Sequence, residues 1–356
     1  MKQPSTADFE ALAQAPVQAA NKKQAILSHL NTYGLPVAIH DLSLFQQSGI
    51  MIKDTFANYL AATDFYSTGS FVKLAQGTPL DFQYDIEEGV KQELEKYKDR
   101  TSFDLGSFVH EAILEPNLWA TVVCEPQASR ASHEGLDTLI EFWGNKIGPG
   151  RLASLDTGAK TDTKKMWIDQ AKEISGLRCV SFKDAVIVAK IYERWMAYQN
   201  GYWANILDSA QREVSCYVDG FNDLPVRVRP DGLLFSEQIG VNAIVSVKTT
   251  SAASVEQYKR QYMAYGYDIK EAAYQRIVSH VTGREFSTTI MIVLSTCEPF
   301  SVGVFILSDL QMEASYSRFT QAMEMGKYCI SKNEYPGWEM YAGPEDKGLI
   351  DLDIQY

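Results

Sequence analysis

Two stretches, Arg227-Val-Arg-Pro-Asp-Gly-Leu-Leu234 and Ala243-Ile-Val-Ser-Val-Lys-Thr-Thr250, decide how this chain folds. Both contain β-branched, apolar runs that predict buried strands. Residues two apart share one face of a strand, so Ser246 and Lys248 should point the same way. A lysine that closes a buried strand needs either a charged partner or a chemical task. A neighbouring Asp231, holding a metal ion, would supply both.

The periodicity on either side of these stretches alternates between helical and strand patterns. Further strand-like runs cover residues 213–218, 225–234, 287–294 and 301–306, and the first two resemble a hairpin. Helix starts of capping-box form stand at Ser181, Ser254 and Ser308. This order predicts an α/β fold in which a central mixed sheet of about five strands is flanked by helices.

The 356 residues are enough for one large domain with an extension. Helical periodicity in residues 1–55 predicts an N-terminal helical extension of unassigned role. The main domain is expected over residues 56–340, and residues 341–356 are expected to form a C-terminal tail.

Composition sets limits on the class of protein. The formal net charge of −12 disfavours broad, non-specific binding of nucleic acid. A local basic channel on an acidic body is still compatible with a nuclease. The five cysteines are odd in number and scattered, which favours reduced thiols. We identify neither a signal peptide nor an apolar run long enough for a membrane span, so we expect a cytoplasmic protein without a membrane partner.

Phosphodiester hydrolysis explains a carboxylate and a lysine on paired strands. A hard divalent cation needs oxygen ligands, and it lowers the pKa of bound water and neutralises charge on the phosphate. A lysine beside the cation can orient or deprotonate that water and stabilise the transition state. Asp231 and Lys248 are the residues that this chemistry would use.

An ordered set of motifs resembles a known family. Pro230-Asp231 followed by Ser246-Val-Lys248 is similar to the signature of PD-(D/E)xK nucleases, which have a restriction-endonuclease-like core. The strongest resemblance is to the branch of exonuclease VIII (RecE) and related phage recombination exonucleases. Gly106-Ser-Phe-Val-His110 resembles the glycine-histidine helix of that branch, and Tyr66-Ser-Thr-Gly-Ser-Phe-Val-Lys-Leu74 resembles its N-terminal signature. The resemblance covers roughly residues 60–340.

The resemblance implies roles for individual residues. Asp231 matches the metal-binding aspartate, His110 the histidine ligand and Lys248 the catalytic lysine. Val247 would contribute its backbone carbonyl to the metal.

The resemblance also implies partners and contacts with nucleic acid. Arg229 and Thr249 flank the site and could contact phosphate, and Lys270 stands where the long helix of the family usually has glutamine. The implied cofactor is Mg²⁺ or Mn²⁺, and the implied substrate is the end of linear duplex DNA. A ring-like homo-oligomer and a single-strand annealing protein as partner are further implications.

Ser246 departs from the pattern, because the family has Asp or Glu at this position. Three explanations remain open: the acid has migrated, activity has been lost, or the serine was introduced to abolish activity. Glu115, Glu213 and Glu271 are candidates for a migrated acid. The first hypothesis is therefore a metal-dependent DNA exonuclease. The alternative is a catalytically impaired nuclease homologue that serves as a DNA-binding or protein-interaction module, which Lys270 and the acidic net charge also favour.

Overall fold

The structure is a computed structural model that describes residues 21–39, 41–89, 91–93, 95, 105–156 and 158–351. The strands within these residues are β1 (Ile50–Lys53), β2 (Tyr66–Ser67), β3 (Val123–Cys124), β4 (Cys179–Val180), β5 (Gln211–Arg212), β6 (Val214–Phe221), β7 (Leu224–Val228), β8 (Gly232–Leu234), β9 (Ala243–Thr250), β10 (Thr288–Ser295) and β11 (Val302–Ile306).

Helices account for most of the remaining described residues. The α-helices are α1 (residues 21–33), α2 (Phe56–Ala61), α3 (Thr68–Gln76), α4 (Pro79–Tyr84), α5 (Leu105–Leu114), α6 (Pro116–Trp119), α7 (His133–Ile147), α8 (Thr161–Ser175), α9 (Phe182–Ala197), α10 (Tyr202–Ser209), α11 (Ser236–Ile239), α12 (Val255–Ala264), α13 (Tyr267–Thr282) and α14 (Asp309–Lys332). Short 3₁₀ turns cover Leu42–Phe45, Tyr198–Gly201 and Trp338–Tyr341, and a π turn covers Asp85–Gly89.

The central sheet has five strands in the order β11-β10-β9-β8-β5. Strands β9 and β10 are parallel, and the other neighbouring pairs are antiparallel. The sheet is therefore mixed, as predicted. The predicted helix starts are also present: the side chains of Ser181, Ser254 and Ser308 each accept a hydrogen bond from the backbone N–H three residues further on.

A second sheet has the order β1-β6-β7-β2; it contains the predicted hairpin, but the second strand of that hairpin ends at Val228. Strands β6 and β7 pair in this sheet, whereas β8 belongs to the central sheet. The run that was predicted as one strand over 225–234 is interrupted at Pro230, which has no backbone N–H to continue a ladder. Asp231 consequently lies at the junction between the two sheets.

Helices cover both faces of the central sheet. Val245, Val247 and Ile292 are buried in a cluster that includes α5, α9 and α10. Met291 and Val293 point the other way and pack against tyrosines of α12. This alternation places Ser246 and Lys248 on the face opposite Val247, as the sequence predicts.

The N-terminal residues that the structure describes pack into the same core. Ile26 and Leu30 of α1 are buried in the cluster that includes β9. Strand β1 pairs with β6 at the edge of the second sheet. Within the described residues 21–39 and 41–61, α1 and β1 thus pack against the main domain, whereas residues 1–20 lie outside the described part. Of the expected tail, residues 341–351 are described and lie mostly at the surface.

Two further observations concern bilayers and thiols. In the part of the chain that the structure describes, we find no helix with both the length and the apolar character that a bilayer crossing requires. All five cysteines lie in described segments, and each is a free thiol.

Candidate active site

A cleft of about 810 Å³ is lined by residues of α2, α3, α5, β7, β9 and α13. His110, Asp231 and Lys248 all face this cleft, so the three residues singled out in the sequence converge in space. They come from three separate elements: helix α5, the junction before β8, and strand β9. The spatial arrangement on which the nuclease interpretation depends is therefore present.

A cluster of possible metal ligands lies in the cleft. His110 Nε2 lies 3.3 Å from Asp231 Oδ1, and His110 Nδ1 lies 4.0 Å from Glu213 Oε1. The three side chains offer ligand atoms that all lie within 4.8 Å of one another. Two carboxylates and one imidazole at such distances can hold one divalent cation. We refer to His110, Glu213 and Asp231 as the cation cluster.

Glu213 is held in the cluster by an uncommon backbone conformation. Its φ is 55°, in the left-handed region that residues other than glycine seldom adopt. Its backbone N–H donates to the Asp231 carbonyl at 3.2 Å. Its Oε1 is buried and has no hydrogen-bond partner. Backbone strain and unmatched buried acceptors are both more frequent at functional sites than elsewhere. Both features are consistent with a carboxylate that coordinates a cation.

The side chain of Asp231 contacts the backbone of strand β9 at Val247. Continuing the pairing of Gly232 with Val245 by two residues places Pro230 opposite Val247. The Val247 N–H donates to Asp231 Oδ2 at 2.6 Å, and Pro230, which has no N–H, cannot donate to the Val247 carbonyl. The N–H and C=O of one strand residue point to the same edge, so the Val247 carbonyl also faces the Asp231 side.

A second group of contacts surrounds Lys248. Its Nζ lies 3.5 Å from Asp231 Oδ2 and 3.6 Å from Glu271 Oε1. It donates to Ser246 Oγ at 2.5 Å, and Ser246 Oγ in turn donates to Glu271 Oε1 at 2.6 Å. Glu271, on α13, is fully buried, and its Oε2 has no hydrogen-bond partner. Glu271 thus places a carboxylate directly behind the serine that replaces the usual acid.

The other candidates for a migrated acid occupy different positions. Glu213 belongs to the cation cluster, as described above. Glu115 also lines the cleft, and its negative charge contributes to the raised pKa of Glu213. Among these candidates, Glu271 is the one that contacts Ser246 and Lys248.

Electrostatic coupling shifts the pKa values within the cluster. Burial opposes ionisation of Asp231, but the Lys248 ammonium, His110 and the Val247 N–H outweigh it and hold its pKa well below the usual value. Burial raises the pKa of Glu213, and the negative charge of Asp231 adds to the increase. Burial lowers the pKa of Lys248, but Asp231 and Glu271 outweigh this effect, so the pKa is raised. Two carboxylates this close repel each other, and a cation would offset that repulsion.

Arg229 also lines the cleft, but its guanidinium is paired with two carboxylates. Its guanidinium donates from Nε to Glu213 Oε2 at 2.8 Å and from Nη1 to Asp54 Oδ1 at 2.9 Å. Only 5% of its side chain is exposed. Arg229 therefore holds Glu213 in place, and its contact with phosphate stays a prediction. Thr249 and Lys270 both line the cleft, and both side chains are partly exposed, so a substrate in the cleft could reach them.

Comparison with known proteins agrees with this geometry. Residues 70–340 match the family described as "PDDEXK-like domain of unknown function (DUF3799)", and the chain belongs to that family. The mixed sheet flanked by helices is a restriction-endonuclease-like core. PDDEXK nucleases generally use divalent metal ions, and a nuclease-like family implies DNA as substrate.

A protein from Eubacterium rectale, whose crystal structure is described as that of a "putative exonuclease", shares 15% identity with this chain. Their TM-score is 0.42, and the similarity covers 86% of this chain and 96% of the other. No curated protein matches the sequence.

Proposed function

We propose that this protein is a metal-dependent exonuclease that hydrolyses linear duplex DNA from its ends, in DNA processing of the recombination or phage type. The observation that carries the proposal is the cation cluster, whose ligand atoms lie within 4.8 Å of one another, next to Lys248. The ordered RecE-like motifs support the choice of an exonuclease among nucleases.

The donor set of the cluster suits Mg²⁺ or Mn²⁺. Asp231 and Glu213 would supply carboxylate oxygens, His110 would supply a nitrogen, and Val247 would supply its backbone carbonyl. When bound, the cation lowers the pKa of coordinated water and neutralises charge on the scissile phosphate. The unmatched Glu213 Oε1 is the feature of the protein that such an ion would satisfy.

Lys248 and Glu271 complete the proposed machinery. The Lys248 ammonium, placed between Asp231 and Glu271, would orient the attacking water and stabilise the charge that develops on the phosphate. Glu271 would restore the negative charge that is missing at Ser246, because the two side chains are hydrogen-bonded. In this proposal the acid has moved from strand β9 to helix α13.

The remaining contacts with DNA are part of the same proposal. Thr249 and Lys270 line the cleft and would contact the phosphate backbone. The Lys270 ammonium lies over the ring of Tyr274, 5.5 Å from its centroid. A ring-like homo-oligomer, a single-strand annealing partner and a cytoplasmic location are further elements, which rest on the RecE-like resemblance and on the sequence.

A second candidate function has one specific observation in its favour. Lys248 Nζ already lies close to Asp231, Ser246 and Glu271. It donates a hydrogen bond to Ser246, the residue that replaces the usual acid. If Lys248 remains in these contacts and does not act on an attacking water, the protein is a catalytically impaired homologue that binds DNA or another protein.

Degradation of linear duplex DNA separates these candidates. We expect the wild-type protein to release nucleotides from linear duplex with Mg²⁺ or Mn²⁺, to stop with EDTA, and to spare covalently closed circles. Lys248→Ala should abolish the release. Activity that appears only in Ser246→Asp would favour the impaired homologue, and a wild-type rate in Lys248→Ala would contradict the site assignment.

A further inference from the structure

A buried chain of polar contacts extends away from the cation cluster to the end of strand β1. Arg229 donates from Nη1 to Asp54 Oδ1 at 2.9 Å and from Nη2 to the Asp54 carbonyl at 3.1 Å. Its Nε donates to Glu213 Oε2 at 2.8 Å. The exposed fractions of the Arg229, Asp54 and Glu213 side chains are 5%, 9% and 14%. One arginine therefore joins a carboxylate of the cluster to a carboxylate far away in sequence.

At the Asp54 end of this chain of contacts, both carboxylate oxygens of Asp54 and the guanidinium nitrogens of Arg229 have hydrogen-bond partners. Ser215 Oγ donates to Asp54 Oδ1 and accepts from Arg229 Nη1, and the Tyr217 hydroxyl donates to Asp54 Oδ2 at 2.9 Å. All three guanidinium nitrogens of Arg229 have partners. The acceptor left unmatched along this chain is Glu213 Oε1, the atom that faces His110. The contacts fix one oxygen of Glu213 and leave the other free for a ligand.

Stability alone is a weak explanation for these contacts. Burial of ionic groups costs desolvation energy that their attraction often fails to recover, so a buried ion pair is poor evidence for stabilisation. The backbone of Glu213 is also strained, with φ at 55°, which adds to the cost of this arrangement. The contacts carry both the desolvation cost and the backbone strain, and they fix the orientation of the Glu213 carboxylate. Such an arrangement is expected at a site where the orientation of a carboxylate matters for binding a ligand.

We propose that Asp54 is a positioning residue: through Arg229 it orients Glu213 so that Glu213 Oε1 points into the cation cluster. This inference rests on the proposed cation site and adds a residue from the segment that the sequence assigned to an extension. Residues that hold metal ligands from behind typically change metal affinity by about 10–100-fold when they are substituted. Asp54 should therefore affect cation affinity without contacting the cation.

The test measures the affinity of the full-length protein for Mn²⁺ by isothermal titration calorimetry, with electron paramagnetic resonance of free Mn²⁺ as a second readout. Asp54→Asn keeps the size of the side chain and removes its charge. Ser215→Ala removes one hydroxyl that contacts both Asp54 and Arg229, which is a milder change. Asp231→Asn serves as the variant that removes a proposed ligand.

A matched control comes from another buried ion pair. Glu125 and Lys172 lie 2.7 Å apart, both side chains are 13% exposed, and both contact the indole of Trp143. Glu125→Gln should lower thermal stability to a similar extent as Asp54→Asn but leave Mn²⁺ affinity unchanged. A loss of affinity in Asp54→Asn that is absent from Glu125→Gln cannot then be attributed to general loosening of the fold.

We expect the dissociation constant for Mn²⁺ to rise about 10–100-fold in Asp54→Asn. A smaller rise in the same direction is expected in Ser215→Ala, and binding should be lost in Asp231→Asn. Wild-type affinity in Asp54→Asn, combined with lost binding in Asp231→Asn, would overturn the role of Asp54 while leaving the cation site intact. Wild-type affinity in Asp231→Asn would overturn the cation site itself, and with it the inference.

Discussion

Helix α13 carries two carboxylates, Asp268 and Glu271, that look alike until their neighbours are compared. Both side chains are fully buried, and each has one oxygen without a hydrogen-bond partner. Asp268 faces helix α14, where it accepts from Ser315 Oγ at 2.6 Å and from Arg318 at 3.3 Å. Glu271 faces strand β9 and lies 3.6 Å from Lys248 in the cleft.

The neighbours of Asp268 and Glu271 show which of the two carboxylates is structural and which belongs to the candidate site. Burial and an unmatched oxygen are common to both residues, so on this helix neither property separates the two carboxylates. The partners of Asp268 join two helices, which is what a packing interface needs. The partners of Glu271 are the lysine and the serine of the nuclease-like motif. We therefore assign Asp268 to stability and propose a catalytic role for Glu271.

The largest expected effect is on the rate of DNA hydrolysis. Glu271→Gln should reduce the initial rate of nucleotide release from linear duplex by about 100-fold or more, because it removes the charge that stands in for the missing acid. Asp268→Asn should stay within about threefold of wild type, since its partners lie outside the cleft. Equal losses in both variants would remove the distinction between the two carboxylates.

The sequence could predict the site residues whose side-chain direction follows from strand geometry or whose motif resembles that of a known family. Asp231 directly precedes β8, Lys248 lies on the neighbouring strand β9, and alternation within β9 places Ser246 beside Lys248. His110 was found through its glycine-histidine context. In each case local periodicity, together with the resemblance, determines where the side chain points.

What the sequence could not predict depends on contacts between distant segments. Glu271 was only one of three candidate acids, because no local pattern shows which helix covers the Ser246 face of the sheet. Arg229 flanks the motif and is predicted to contact phosphate, whereas in the structure its guanidinium pairs with Glu213 and with Asp54, which follows β1. The sequence separation between Asp54 and Arg229 is 175 residues, so this contact follows from topology alone.

Relocation of the acid should give the next largest effect. The double variant Ser246→Asp/Glu271→Gln moves the carboxylate from α13 back to the strand. We expect its rate to recover to within about tenfold of wild type, well above that of Glu271→Gln alone. Ser246→Asp alone should be impaired, because it places two carboxylates in contact in a buried site. Rates from the same linear-duplex assay decide this, and a double variant no better than Glu271→Gln would contradict a migrated acid.

Asp268 should dominate the effects on stability. Asp268→Asn weakens its contacts with Ser315 and Arg318, which should lower the free energy of unfolding by about 1–3 kcal/mol. Urea denaturation followed by circular dichroism measures the change, and Ser315→Ala provides a milder variant of the same interface. A stability unchanged in both variants would show that the α13–α14 contact does not need these polar groups.

The smallest effect is expected at an exposed carboxylate far from this helix face. The Arg284 guanidinium hydrogen-bonds to Glu237 and lowers the pKa of that carboxyl from 4.5 to about 2. A lowered pKa in the folded state means that the stabilisation is present above about pH 4.5 and is lost as pH falls towards 2. Because Glu237 is exposed, Glu237→Gln should cost less than about 1 kcal/mol at neutral pH. Unfolding curves at pH 7 and pH 3 should show this difference shrinking, without change in nuclease rate at pH 7; a constant difference would contradict the assignment.

We propose that His110, Glu213 and Asp231 together hold one divalent cation in the cleft. Anomalous diffraction from crystals grown with Mn²⁺ would locate this cation. We expect a single strong anomalous peak among the ligand atoms of these three side chains, and its loss in Asp231→Asn crystals. A cleft without a peak at saturating Mn²⁺, or a peak that persists in Asp231→Asn, would contradict it.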